Sequence, residues 1–320
     1  MINQRIFALG AIVSVGLLSG CGASLDDNSS STTPVSTAPT ATLPAGTPAS
    51  FSEATTKWSD VSQANTTVTA DGFSSEVTFV YKTSTAPAPV IDTSAQVKIA
   101  YDASENISGL SVINDNVNLT WVTVTSDNGS DSSLTVTDYA DAQGMIYDPE
   151  NDPYWDYQTM ATWVQTNEDT GIGRVGAMSV GNPTVDASIP TASTATFTGV
   201  AEGMYVDDNH DIYGVSSDAE LVADFVNRSV TFKTTNSQIQ PLYWGGDAYT
   251  DAGPNLTGTF SYSANDNTLT SSNLYGTSPG WTGGTASAKF YGPNAEEIGG
   301  VFSIRGPGKE AYEGAFGAKR

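Results

Sequence analysis

The chain has 320 residues, enough for one large domain or two ordinary ones, each with its own core. Its 35 Asp and Glu against 12 Lys and Arg leave a net charge of -23, a field that repels polyanions and so excludes nucleic acid and anionic membrane surfaces as docking partners. Only 15% of residues are charged, 31 are Gly, and Thr, Val, Tyr and Phe are abundant without long helix-forming runs, a composition that points to an all-β protein.

The N-terminus opens on a short basic start, Met1–Arg5, followed by an apolar run from Ile6 to Leu18. That run has signal-peptide length and is shorter than the roughly 20 residues a membrane-crossing helix needs. Leu18-Ser19-Gly20-Cys21 then resembles the bacterial lipobox, in which the Cys thiol takes a diacylglycerol and cleavage leaves the lipidated Cys as the new N-terminus. Residues 1–20 are thus read as a lipoprotein signal peptide and Cys21, the single cysteine, as the lipidation site. The membrane partner is the lipid itself, each buried CH₂ contributing about 0.8 kcal/mol to anchorage. Gly22, where an acidic residue would favour inner-membrane retention, favours delivery to the outer membrane. Residues 21–50 are rich in Ser, Thr, Pro and Ala and nearly devoid of large apolar side chains, so they read as a disordered tether.

Residues 51–180 carry short alternating runs: Glu76–Tyr81, Gln96–Tyr101, Leu119–Val124 and Ser133–Val136. Period-two patterning with β-branched enrichment predicts an antiparallel, handle-like β domain. Between the last two runs, residues 126–132 are all turn formers.

Residues 181–320 are patterned more regularly. Ala195, Phe197, Gly199, Ala201, Gly203 and Tyr205 share one face, as do Leu221, Ala223 and Phe225 of the next run. Val230 with Phe232, Leu256 through Tyr262, Ala286 through Phe290, Gly300 through Ile304 and Tyr312 through Ala318 continue the series. With Val230 and Phe232 on a strand at Ser229–Asn236 and a further strand at Thr268–Tyr275, the count reaches about eight. Alternating small and bulky inward residues suit a small closed barrel, although a β-sandwich would show the same period.

The segment Ala288–Ser303, containing Tyr291-Gly292-Pro293-Asn294 and Gly299-Gly300, together with Tyr312–Arg320, resembles the last strands of transferrin-binding protein B-type β-barrels. Gly181–Thr184, Ile189-Pro190, Ala195–Gly199 and Ala219–Phe225 extend the resemblance over residues 157–320. It implies an all-β fold: an N-terminal antiparallel handle-like domain followed by an eight-stranded antiparallel barrel on a surface lipoprotein. It also implies a non-enzymatic binding function. Members bind transferrin, lactoferrin, haem carriers or complement regulators, so an iron or haem carrier is the expected class of protein partner. A structural or adhesive envelope module without a small ligand is the alternative. A chain ending in Ala318-Lys319-Arg320 lacks the terminal aromatic expected of an integral outer-membrane barrel.

Chemistry-bearing residues are few. His210, in Asp207-Asp208-Asn209-His210-Asp211, is the single histidine, and no spacing marks a nucleophile for it to activate. A lipid-anchored hydrolase is therefore the weakest reading. Bis-histidine haem ligation is excluded by count, while ligation by Tyr or by one His stays open. Asp207, Asp208 and His210 are candidate ligand contacts on a loop, and Tyr243 and Trp244 are candidates on another. No cofactor is expected otherwise. Asp127–Asp131 and Asp148–Asp152 bring together carboxylates that suit either ordinary turns or calcium, without completing an EF-hand spacing. Tyr147, Tyr154, Trp155, Tyr157 and Trp163 form an aromatic group that either anchors a partner or packs between handle and barrel.

Overall fold

The computed structural model describes residues 41–80, 90–122, 124–126, 133–139, 142–147, 155–167, 171–242, 249–250, 254–308 and 310–320. Cys21, residues 1–20, most of the tether, Tyr154, Tyr243, Trp244 and the loops 127–131 and 148–152 lie outside them. Among the described residues no helix is long and apolar enough to cross a membrane.

The N-terminal half begins with β1 (Thr47–Ala49) and the single-turn α1 (Trp58–Val61). There follow β2 (Thr66–Val80), β3 (Val90–Tyr101), β4 (Ile107–Ile113), β5 (Asn118–Trp121), β6 (Val124–Ser126), β7 (Ser133–Tyr139), β8 (Ala142–Tyr147), β9 (Gln158–Asn167) and β10 (Ile172–Gly181). They form one curled sheet in the order β5-β4-β3-β2-β10-β9-β8-β7-β6, with β1 added parallel to β2. The last residues of the segment read as a tether, Thr47–Ala49, are thus tied to the sheet. The run Leu119–Val124, expected as one strand, breaks after Trp121: β5 pairs with β4 and β6 with β7, at opposite ends of the strand order. The curl is the reason. Trp121 reaches across the concave side, its Nε1 donating to the carbonyl of Ala142 on β8 at 3.4 Å. That side holds a core of Val68, Val97, Ile99, Leu110, Trp163 and Met178, closed by Trp58 of α1. Phe51 stacks on Trp58 at 4.9 Å.

The C-terminal half is a meander: β11 (Thr194–Val206), β12 (Ile212–Asp224), β13 (Ser229–Pro241), β14 (Tyr249–Thr250), β15 (Leu256–Ser261), β16 (Leu269–Gly276), β17 (Gly284–Tyr291), β18 (Glu297–Arg305) and β19 (Ala311–Lys319). β14 is a short appendage to β13; the other eight pair antiparallel in a ring that returns from β19 to β11, so the barrel is closed. Closure decides between barrel and sandwich, which periodicity alone left open. The inward faces read from the sequence line its interior. Phe232 lies 4.8 Å from Phe316, 6.1 Å from Phe260 and 6.3 Å from Phe302, while Phe290 contacts Phe197 and Phe225. Each such ring stabilises the fold by roughly 1.5–3 kcal/mol through burial. The interior is therefore packed with side chains.

The convex face of the curled sheet covers the outer wall of β11, β18 and β19. Phe73, Met160 and Ala177 meet Val200, Val301 and Ala315; Val77, Phe79 and Val175 meet Met204, Val206 and Ala311. The connection at residues 155–158 seals this junction. Trp155 lies flat against Gly317, where a Cβ would come within 2.6 Å of its ring. Gln158 inserts against Gly299, and its Nε2 donates to the carbonyls of Ile298 at 3.0 Å and Ala318 at 3.2 Å. A side chain at residue 299 would overlap the Gln158 amide oxygen, so the first glycine of the Gly299-Gly300 pair is a docking socket. Of the aromatic group, Tyr147, Trp155 and Tyr157 pack at the junction and Trp163 in the handle core, which assigns them to packing.

Candidate functional site at the loop end of the barrel

A closed meander has two ends. At one, the turns β12–β13, β15–β16 and β17–β18 lie beside the entering segment at residues 182–193. Asn267 pins that segment there, its Nδ2 donating to the carbonyls of Thr184 and Phe290, both at 2.8 Å. The opposite end carries the connections β11–β12, β13–β15, β16–β17 and β18–β19, and it is there that Asp207, Asp208 and His210 fall.

The β11–β12 loop is built by its own carboxylate. Asp207 Oδ1 accepts from the backbone N–H groups of Asn209 and Asp211, both at 2.8 Å, and its carbonyl accepts from His210 N–H at 2.9 Å. This local capping turns the chain and places His210 at a φ of 68°. The imidazole points into the protein: it is 3% exposed and stacks on Phe79 of the handle at 5.7 Å with an interplanar angle of 3°. His210 is thus a packing contact across the junction, and Asp208 is the exposed member of the candidate trio.

The groups that converge at this end were not singled out by sequence. Tyr205, next to last in β11, and Tyr213, second in β12, are directly opposite in register, with ring centroids 5.6 Å apart. Trp281, from the β16–β17 connection, packs on Tyr205 at 5.6 Å. Tyr205 Oη donates to Glu310 Oε1 at 2.8 Å. Burial raises the Tyr205 phenol above its usual range, and the Glu310 carboxylate beside it adds to the shift. Burial likewise raises the Glu310 carboxyl, with Asp208 and Asp207 adding repulsion and the Tyr205 hydrogen bond opposing. Tyr275 stands outside this stack with 46% of its surface open. A groove lined by Asn273, Tyr275, Thr277, Pro279 and Trp281 runs beside it. The only sequence signal was the flanking of the acidic loop by Tyr205 and Tyr213; the approach of Trp281 and Glu310 depends on barrel closure.

Chemically the end combines rigid aromatic surface, carboxylates and open loops. That combination suits recognition of a macromolecule, where aromatic anchors supply area at small entropic cost. Among the described residues no group of three or more His, Cys, Asp and Glu could hold a metal ion.

Residues 189–320 match the family model described as the C-lobe and N-lobe β-barrels of Tf-binding protein B. None of the curated proteins matches the sequence. Similar solved structures include a transferrin-binding protein B of Haemophilus parasuis Hp5, at 13% identity over 72% of this chain and 54% of that one, with a TM-score of 0.41. That of serogroup B Neisseria meningitidis is 19% identical over 75% of this chain and 45% of that one, at 0.43. That of Actinobacillus pleuropneumoniae H49 is 13% identical over 78% of this chain and 99% of that one, at 0.39. The chain spans about half the length of the Haemophilus parasuis protein. With the closed eight-stranded meander and this match together, residues 189–320 are similar to the lobe barrels of transferrin-binding protein B.

Proposed function

We propose that this protein is a non-enzymatic, lipid-anchored lipoprotein of the outer membrane. In this reading the loop end of its barrel binds a protein partner, with an iron or haem carrier as the favoured class. The observation that carries the reading is the packing of the barrel. Phe232, Phe260, Phe302 and Phe316 fill its interior and the handle covers its β11–β18–β19 wall, which leaves the loop end among the surfaces open to a partner. Tyr275 and Asp208 are exposed there, and Tyr205, Trp281 and Glu310 form the support behind them. With a net charge of -23, association is expected to favour a partner with a basic face and to weaken with salt.

The test uses the mature, lipid-free chain against transferrin, lactoferrin and haem-loaded carrier proteins in turn, by surface binding at low and physiological salt. The expected result is saturable binding to one carrier, weakened tenfold or more by Tyr275→Ala with Asp208→Asn, since anchor residues contribute about 2 kcal/mol each. Binding to none of these carriers, or unchanged affinity in the loop variant, would refute the assignment. The anchor is checked separately: wild-type cells should incorporate labelled palmitate into the protein, and Cys21→Ser should abolish the label.

A further inference from the structure

Three carboxyls on the outer wall of the barrel are enclosed by the handle: Glu202, Glu297 and Glu313, at 1%, 3% and 0% exposure. Glu202 Oε1 accepts from Tyr147 Oη at 2.6 Å and Ser216 Oγ at 2.7 Å. Glu297 accepts the backbone N–H groups of Asp156 at 2.6 Å and Tyr157 at 3.1 Å, the connection that seals the junction. Glu313 sits on β19 between the two apolar clusters of the junction. Its Oε1 accepts from Ser303 Oγ at 2.6 Å, and its Oε2 is buried with no hydrogen-bond partner among the described residues.

The titratable and charged groups around them come from both layers. Glu313 faces Glu76 from β2 and Arg305 from β18. Glu297 faces Asp156 from the connection, Lys319 from β19 and Tyr291 from β17. Glu202 faces Tyr147 from β8 and Tyr312 from β19. An ionised carboxylate enclosed in this way loses its water and gains few charged partners, which favours the neutral acid.

We propose that Glu297 and Glu313 form a proton-loaded latch: while both are neutral the handle stays docked on the barrel wall, and ionisation loosens the junction. Burial raises the Glu297 carboxyl to about 8 against the pull of its two N–H donors. It raises Glu313 well above the ordinary carboxylate range, Glu76 adding to the effect and Ser303, Ser75 and Arg305 opposing it. Since the protonated forms are favoured in the docked state, docking is strongest below the ordinary value of 4.5 and is lost as pH rises through about 8 for Glu297. Glu313 extends the loss in the same direction. The consequence reaches the loop end directly, because Phe79, which supports His210, belongs to the same docked face. The latch does not depend on which partner that end takes.

The test is amide hydrogen exchange on the mature chain, corrected for intrinsic rates, from about pH 6 to about pH 9.5. Peptides from 155–167 and 311–319 should lose protection by about tenfold per unit of pH as it rises toward about 8, where the Glu297 contribution levels off, relative to 229–235 of the barrel, and regain it on return to acid. The double variant Glu297→Gln with Glu313→Gln should hold its junction protection flat over this range. Unchanged wild-type protection, or a double variant with the wild-type pH profile, would overturn the proposal. Should the double variant fail to fold, Ser303→Ala decides. It withdraws a donor that favours ionised Glu313, so loosening must move to higher pH, and an unmoved midpoint counts against the latch.

Discussion

Replacing Gly299 by Ala perturbs a single contact of known geometry. Gly299 faces outward from β18, and an added methyl would overlap the amide oxygen of Gln158 and come within 2.9 Å of Ser179 Oγ. The strands on either side are backbone-paired, with Gly299 opposite Lys289 and Gly317, so the side chain must yield. Expelling Gln158 breaks its bonds to Ile298 O and Ala318 O. Two lost hydrogen bonds, with their acceptors left in a buried junction, amount to about 2–4 kcal/mol. Gln158→Ala alone loses the same bonds without the clash, at about 2 kcal/mol. Because the two changes remove one contact, the double variant should cost little more than Gln158→Ala, giving a coupling of about 2 kcal/mol in a double-mutant cycle. The assay is urea unfolding followed by circular dichroism and tryptophan fluorescence, with Trp155 reporting on the junction. Gly300→Ala is the control. Its methyl would point into the barrel against Ala288 and the Ser287 carbonyl, and Gln158→Ala should give no rescue. Additivity of Gly299→Ala and Gln158→Ala to within about 0.5 kcal/mol would refute the socket.

Two further outcomes follow from the packing. Phe316→Ala should destabilise the protein by about 3–5 kcal/mol, read as a fall in urea midpoint, because the ring is fully buried between Phe232 and Phe260. His210→Ala should cost about 1 kcal/mol from the lost stack on Phe79. It should also leave the absorbance change on haem addition the same as in wild type; a haem spectrum that disappears in this variant would show that the ring is a ligand and that its placement here is wrong.

Much of the barrel is legible because alternation is a property of one strand at a time. Phe197, Phe232, Phe260, Phe302 and Phe316 recur at period two against small residues, and local turns such as Asn227-Arg228 and Asn265-Asp266-Asn267 separate them. The handle is less legible because β2, β9 and β10 are covered on both faces, by their own core on one side and by the barrel on the other. Such strands lose the apolar–polar contrast that periodicity detects. Ser74-Ser75-Glu76 in the middle of β2 reads as a polar interruption, yet all three are buried.

The sequence by itself determined the all-β class, the inward faces of the barrel and the resemblance carried by residues 288–303 and 312–320. Tertiary structure alone decided that the barrel closes, that Leu119–Val124 is split between two edges, and that His210 turns inward onto Phe79. It also decided that Glu202, Glu297 and Glu313, which alternation marks as outward and therefore solvated, are enclosed. The physical reason is that a strand's pattern specifies which side faces the barrel interior, whereas what covers the other side is set by a second sheet more than a hundred residues away in the chain, as in the contact of Gln158 with Ile298.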